Sequence, residues 1–493
     1  MTKNLGAQFN DINNINPTIT IEGQIIVIIP DACHMLKLVR NTLADKREIL
    51  NANGEIISWN YIEKLHNLQK QEELHLGNKL RAAHINYKKQ IMKVKLAAQT
   101  FSKSDAEALI FCKGYLAIED FVHSGATIEF ITNFNDLFDI LNSRSLYSYG
   151  FKKPISEENF DMMNVKLEEL ETYLKTLRFI EGDLVINSGR KTGFLGFLIS
   201  IKALRIIFYK YIRIENAPLR YLCTYKMSQD HLEVFFSAIR SKGGFNNNPT
   251  ALQFVSAYKR LLVHGELKNI TTGNCIPLDN INILTCNSNS ICRKINSSRE
   301  RILAMNDESL DVDSIVDLPE GHDYIGNFEL SEFSKEAITY IAGYVVRNLK
   351  KIIKCDECLG AIFAIEKFPG FIVQKDVGGL HYPSQDVIKI CVFAEKILRQ
   401  TTSIHGNSYF SQKGTLPKMT CSVLKKFIGT EVFAEIKNHI HEQGPFENHF
   451  ALLIKAITFR YFEVRIHYIM TLLSQRDERI RNMHTKLILF KGQ

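Results

Sequence analysis

A chain of 493 residues exceeds what a single hydrophobic core usually holds, about 250 residues, so two to four domains are expected. Its composition, 45% hydrophobic and 23% charged, excludes wholesale disorder and fibrous repetition and calls for packed cores. Lys and Arg number 61 against 53 Asp and Glu, and the net charge of +8 permits a polyanionic partner without requiring one. The 10 cysteines are too dispersed for a disulfide-stapled secreted scaffold, which favours a reducing compartment. The nearest approach to a membrane span, Gly193 to Tyr209, is interrupted by Lys202 and Arg205 and reads as a buried helix. The first residues lack an apolar signal core, so neither export nor membrane anchoring is expected.

In chain order, Gln24 to Ile29 is a β-branched run suited to a strand buried on both faces, and it stops at Pro30-Asp31. From His34 to Leu43 the period becomes helical, with Met35, Leu36, Val39 and Leu43 on the core side and Lys37, Arg40 and Asn41 opposite. Asn53-Gly54 marks a turn before a second short strand, Glu55 to Trp59. Residues 60 to about 220 are mostly helical in pattern and read as one inserted domain. Gln229 to Arg240 is a helix whose stripe of Leu232, Phe235, Phe236 and Ile239 needs a sheet to cover; Ile25 to Ile29 would supply it. Asp230, Glu233, Ser237 and Arg240 share the opposite face. Gly243-Gly244 ends this helix, and Asn248 with Pro249 is expected to start the next, over 251–263. A Ser-, Asn- and Asp-rich stretch from about Thr285 reads as a linker. Helical patterns resume at Glu332 to Lys350, Ser384 to Arg399 and Glu447 to Leu473.

Two acids stand out by context. Asp31 follows a strand and Glu233 lies on a polar helix face about 200 residues later. Singly, each is an ordinary surface or capping acid. Brought together, such carboxylates bind Mg²⁺ ions and support phosphodiester cleavage and transfer. Between Leu74 and Ser104, Lys79, Arg81, Lys88, Lys89, Lys93, Lys95 and Lys103 occur without one acid, a field suited to phosphates or simply a solvated face. SGRKTGFLG (188–196) lacks phosphate-loop spacing, and its glycines read as a helix entry. Cys355 and Cys358 form half a zinc site that Cys391, Cys421 or His381 would have to complete; the alternative is buried or incidental cysteines. His34 and His231, beside the acids, read as orienting or packing groups.

The strings DACHMLKLVRN (31–41), NKL (78–80), MKVKLAAQTFS (92–102) and QDHLEVFFSAIRSKGGFNNNPTALQFVSAYKRLLVH (229–264) closely resemble the P-element and THAP-type DNA transposases. YIAGYVV (340–346), GGLHYPS (378–384) and KLILFKGQ (486–493) resemble that family's tail. The resemblance implies an α/β plus all-α fold: a partial RNase H-like core split by a mainly helical GTP-binding insertion, with a helical carboxy-terminal domain. The corresponding boundaries are 1–59 for the partial core, 60–222 for the insertion, 223–284 for the returning helices, 285–330 for a linker and 331–493 for the last domain.

By the same resemblance Asp31 and Glu233 are the second and third acids of a Mg²⁺-binding catalytic triad. Lys79, Lys93, Val94 and Ser102 would lie on one side of GTP, Phe138, Asp139 and Asn142 on the other, and Asp230 close by. Asp139 could read guanine or hold Mg²⁺. The first acid would precede Asp31 by two strands and a helix; Asp11 is too near, and the family's zinc-binding DNA-reading domain is not seen, so an amino-terminally truncated member is expected. The resemblance further implies transposon-end DNA as partner, a homo-oligomer, no membrane and a nuclear location. The alternative is a noncatalytic descendant that binds nucleotide, DNA or protein.

Overall fold

The computed structural model describes residues 6–9, 11–77, 79–242, 248–264, 329–406, 409–410, 414–436, 439 and 448–489. The Gly243-Gly244 helix stop, Glu447 and the expected linker up to residue 328 lie outside these residues. The chain divides into two compact units, Met1–Gln71 with His75–Cys292, and Glu72–Leu74 with Arg293–Gln493. Both are mostly helical.

In the first unit the helices are α1 (Ala32–Lys46), α2 (Asn60–Gln71), α3 (Ala82–Ile85), α4 (Val94–Thr100), α5 (Lys103–Gly114), α6 (Gly125–Leu141), α7 (Phe160–Thr176), α8 (Thr192–Tyr211), α9 (Asp230–Lys242) and α10 (Ala251–His264). Helix α1 is central. Leu36, Val39 and Leu43 are buried as the periodicity predicts, but the polar side is buried too: Lys37, Arg40 and Asn41 are all covered. The segment before α4 supplies the cover. Arg40 donates to the carbonyls of Gln90 and Ile91 at 3.4 and 3.2 Å and lies over the Tyr87 ring. Burial pulls its pKa down to about 10. An amphipathic pattern was legible here, but the partner that covers its polar half lies 50 residues on.

Helix α8 does begin within the 188–196 glycine stretch, and its Gly193 and Gly196 also pack closely on α1. A Cβ at Gly193 would sit 3.0 Å from both the Met35 carbonyl oxygen and Leu38 Cβ. Gly193→Leu should therefore force the helices apart and cost about 1–3 kcal/mol in a denaturant melt. Gly114→Ala, at an open helical position, is the neutral control. The apolar α8 is long enough to cross a bilayer but is a mostly buried core helix. Two of its three charges pair with one acid: Lys202 and Arg205 reach Glu171 of α7 at 3.1 and 2.7 Å. Burial pushes the Glu171 carboxyl up, but Lys175, Arg205 and Lys202 outweigh it and hold its pKa near about 2.

The strands correct the expectation. Instead of a sheet buried on both faces, β1 (Thr18–Ile21) and β2 (Gln24–Val27) form an isolated antiparallel hairpin turning at Glu22-Gly23. Both turn residues have positive φ, 50° and 79°, as a two-residue primed turn requires. No further strand flanks the hairpin among the described residues, so Ile25 and Ile26 remain 47% and 44% exposed. The second expected strand is β4 (Ile56–Ser58), paired with β3 (Glu48–Leu50) in a sheet of its own, and β5 (Ile155–Ser156) pairs with β6 (Tyr221–Leu222) in a third.

Nor does the α9 stripe cover β2. Phe235, Ala238 and Ile239 pack against Phe254, Ala257 and Leu261 of α10, while Leu232 and Phe236 stay exposed. Helix α10 runs from Ala251 as expected, but its cap is Thr250 and not Asn248. Thr250 accepts the Gln253 N–H, and the Gln253 side chain accepts the Thr250 N–H, so the sequence Thr-Ala-Leu-Gln caps itself.

The second unit contains α11 (Glu332–Leu349), α12 (Asp356–Ile362), α13 (Phe371–Lys375), α14 (Gln385–His405), α15 (Thr415–Phe427) and α16 (His449–Leu489), with the three expected long helices in place. Its core includes Ile338, Val345, Ile390, Leu398, Val423, Ile454 and Ile457. Within it Glu395 is fully buried. It accepts hydrogen bonds from Arg465 Nε at 2.9 Å and Nη2 at 2.8 Å, from Tyr461 Oη at 2.8 Å and from Arg399 Nε at 3.1 Å. Cys391 lies in this core one turn before Glu395 and does not complete the Cys355/Cys358 pair.

Candidate catalytic and nucleotide site

Asp31 acts first as a cap. Pro30 and Asp31 leave the hairpin segment in extended geometry, and the Asp31 carboxylate accepts the Cys33 N–H at 3.1 Å. The capping reading and the site reading are not exclusive. The second oxygen of Asp31 accepts His34 Nδ1–H at 2.6 Å, and His34 Nε2 stands 3.8 Å from a Glu233 oxygen. The two carboxylates, about 200 residues apart in sequence, thus face the two nitrogens of one imidazole. His34 stands between the pair and is hydrogen-bonded to Asp31. Asp31 is 7% exposed and the Glu233 side chain 34%, so one acid is buried and the other opens to solvent.

Asp230 joins them. Buried Cys33 has its thiol pKa raised by burial first, then by the negative charges of Asp230, Asp31 and Glu233, with Arg144 opposing. All three carboxylates thus bear on Cys33 and stand at the starts of α1 and α9, where both helix dipoles favour negative charge.

The entry to α9 is fixed to the end of α6 by a buried exchange. Ser143 N–H donates to Thr224 Oγ1 at 2.9 Å, Thr224 N–H returns to Ser143 Oγ at 3.0 Å, and Thr224 Oγ1 donates to the Ile140 carbonyl at 2.7 Å. Arg144 completes the link: its guanidinium donates to Asn142 Oδ1 at 3.3 Å and lies 3.6 Å from Asp230. The sequence reading missed Arg144, whose only signal was a basic residue two positions past Asn142.

The residues expected around a nucleotide are only partly linked by contacts among the described residues. Lys93 precedes α4 and leaves Val94 buried; Ser102 caps α5, accepting the Asp105 N–H at 3.4 Å. Lys103 N–H then donates to Asn135 Oδ1 at 3.1 Å, and Asn135 Nδ2 donates to Asp139 Oδ2 at 3.1 Å, which brings Ser102 beside the Asp139 face of α6. Burial raises the Asp139 pKa, with Lys152 at 3.7 Å opposing. Phe138 is half-buried beside it, and Asn142 ends the helix. Lys79 lies exposed in the turn before α3, and no hydrogen bond joins it to this group among the described residues. Lys79, Lys88, Lys89, Lys93 and Lys95 are all exposed, so the acid-free stretch presents a basic face.

Carboxylate oxygens thus gather at two helix starts, and the acid-free lysines present an exposed basic face. Three family models match the chain: the GTP-binding insertion domain of TNP-like proteins over residues 33–154, their RNase H C-terminal domain over 225–259, and the C-terminal domain of DNA transposase THAP9 over 329–471. The chain is a homologue of the P-element and THAP9-type DNA transposases. It is 28% identical over 455 residues to human DNA transposase THAP9, covering 88% of this chain and 48% of that protein. It is 27% identical over 477 residues to the Drosophila melanogaster transposable element P transposase, covering 94% of this chain and 54% of that protein. The chain thus spans about half the length of these relatives. Among solved structures it is similar to the Drosophila P element transposase strand transfer complex, with TM-score 0.45 and 26% identity over 52% of this chain and 56% of that one.

Proposed function

We propose that the chain carries part of the machinery of GTP-dependent, cut-and-paste DNA cleavage and strand transfer, in a nuclear protein that works as a homo-oligomer on transposon-end DNA. The observation that carries this reading is the meeting of Asp31 and Glu233 across His34. In this reading residues 24–59 and the α9–α10 pair are parts of an RNase H-like core, and residues 60–222 are the GTP-binding insertion between them.

The donor set suits a hard cation: two carboxylates, one buried and one reachable, converge from separate helices. Asp31 and Glu233 would hold Mg²⁺, which when bound supplies an activated oxygen nucleophile and stabilises the leaving oxygen. His34 holds the Asp31 carboxylate in its rotamer, and Arg144 offsets the charge of Asp230. Because Arg144 also holds Asn142, a nucleotide that reorganises Asn142 would be felt at Asp230 and through it at Glu233, one helical turn on.

Calorimetry of the full chain tests the nucleotide half. GTP should bind more tightly than ATP, and Lys93→Ala and Asp139→Ala should each weaken GTP binding by about 10–100-fold, the worth of a charge-assisted contact. Equal binding of both nucleotides, or of neither, contradicts the assignment. Mixing the full chain with terminal-repeat DNA, GTP and Mg²⁺ tests the cleavage half. Metal-dependent cutting that vanishes in Glu233→Ala would show that the acids of this chain suffice. Intact DNA combined with GTP binding matches the noncatalytic alternative for this chain by itself.

A further inference from the structure

The second unit brings four metal-ligating side chains to one point that the transposase reading does not use. Cys355 precedes α12 and Cys358 lies in its first turn, so the two sulfurs project from the same side. The completing groups are neither His381 nor another cysteine but His439 and His449. Cys355 Sγ lies 3.2 Å from His439 Nε2, and Cys358 Sγ lies 3.4 Å from His449 Nδ1. All four ligand atoms fall within 4.8 Å of one another. A tetrahedral ion with Zn–S near 2.3 Å and Zn–N near 2.0–2.1 Å would separate a sulfur from a nitrogen by about 3.5 Å. The observed spacings match that edge, and the sulfurs and nitrogens come in the two-and-two set that soft thiolates and imidazoles give zinc.

The surroundings are those of a built site. Glu357, between the two cysteines, lies 2.8 Å from His439 Nδ1, which fixes the tautomer that leaves Nε2 free to ligate. His449 N–H donates to the His439 carbonyl at 3.1 Å, holding the two histidines in register. Their rings meet edge to face at 4.4 Å between centroids, so the two nitrogens approach one point from different directions.

We propose that Cys355, Cys358, His439 and His449 bind a structural zinc ion. With four protein ligands the site has no open position for substrate. Its work is mechanical: it fastens α12 and the His439 segment to the first residue of α16, whose far side builds the unit's core. The ion would make one crosslink of ligand pairs that lie 84 and 91 residues apart in sequence.

The test uses the full chain, purified under reducing conditions from zinc-supplemented culture. Elemental analysis should find about one zinc per chain, and the Cys355→Ser/Cys358→Ser double variant should lose most of it, whereas Cys421→Ser keeps it. Stripping with a strong chelator should lower the melting temperature of the wild-type chain, and re-added zinc should restore it. Since the double variant could fail to fold, the wild-type chain is also reconstituted with cobalt. Tetrahedral d–d absorption together with thiolate-to-cobalt charge transfer is expected. A wild-type chain with no more zinc than the double variant, zinc lost equally in Cys421→Ser, or cobalt bound without thiolate charge transfer would each overturn the assignment.

Discussion

Glu395→Ala lowers the stability of the second unit by about 3–5 kcal/mol, the cost of removing one partner from a buried ion pair. The carboxylate takes hydrogen bonds from Arg465 and Tyr461 and one from Arg399, and Arg465 is itself 3% exposed. Truncation leaves the Arg465 guanidinium charged and without its carboxylate in the core. For a unit of this size the melting temperature should fall by about 10 °C. Glu395→Met combined with Arg465→Leu should recover part of the loss, because the stranded charge is gone. The same network sets a pH dependence. Burial pushes the Glu395 pKa up, but Arg465 and the other donors outweigh it and the net shift is downward. A depressed carboxyl contributes stability above its unfolded value, about 4.3, and loses it as pH falls through the lower folded value. An acid titration of the melting temperature should thus be steeper for the wild type than for Glu395→Met/Arg465→Leu.

That network was legible in principle. Glu395 sits on the apolar stripe of α14, one turn after Cys391 and one residue past Ala394, and Arg465 continues the α16 stripe of Ile454, Ile457 and Tyr461. Opposite charges on two apolar stripes announce each other, but only once the helices are known to face. Helical periodicity did give α1, α9, α10 and the three long helices of the second unit, because each buries a local stripe. It failed where the partner is remote. The polar side of α1 is covered by Arg40's contacts with carbonyls 50 residues on. The β-branched run at 24–27 lacks flanking strands among the described residues, so it stays an exposed hairpin. At the site, the acids could be named from their strings and helix face. The residues that link them, His34 between the carboxylates and Arg144 between Asn142 and Asp230, depend on geometry that no spacing encodes.

Glu233→Ala should reduce divalent-ion affinity of the full chain by about 100-fold, since it removes one of two converging charged oxygen ligands. Asp31→Asn should have a similar effect, but with a second consequence. The amide keeps an acceptor for the Cys33 N–H, so the α1 cap survives, while the charge that holds His34 is lost. Glu233 is a part-exposed side chain, and its truncation should change the stability by no more than about 0.5 kcal/mol. GTP affinity should stay within a few-fold in both variants because Lys93, Ser102 and Asp139 are untouched. A loss of GTP binding as large as the loss of metal would mean that the acids support the nucleotide directly.

Iron-directed backbone cleavage tests the shared acid site most directly. Fe²⁺ occupies oxygen-ligand Mg²⁺ sites, and with ascorbate and peroxide it releases radicals that cut the chain beside its ligands. The full chain should be cut near both Asp31 and Glu233, excess Mg²⁺ should suppress both cuts together, and Glu233→Ala should abolish the cut near Asp31 as well as its own. Cutting near one acid only, or a cut near Asp31 that persists unchanged in Glu233→Ala, would contradict a single metal site built from both.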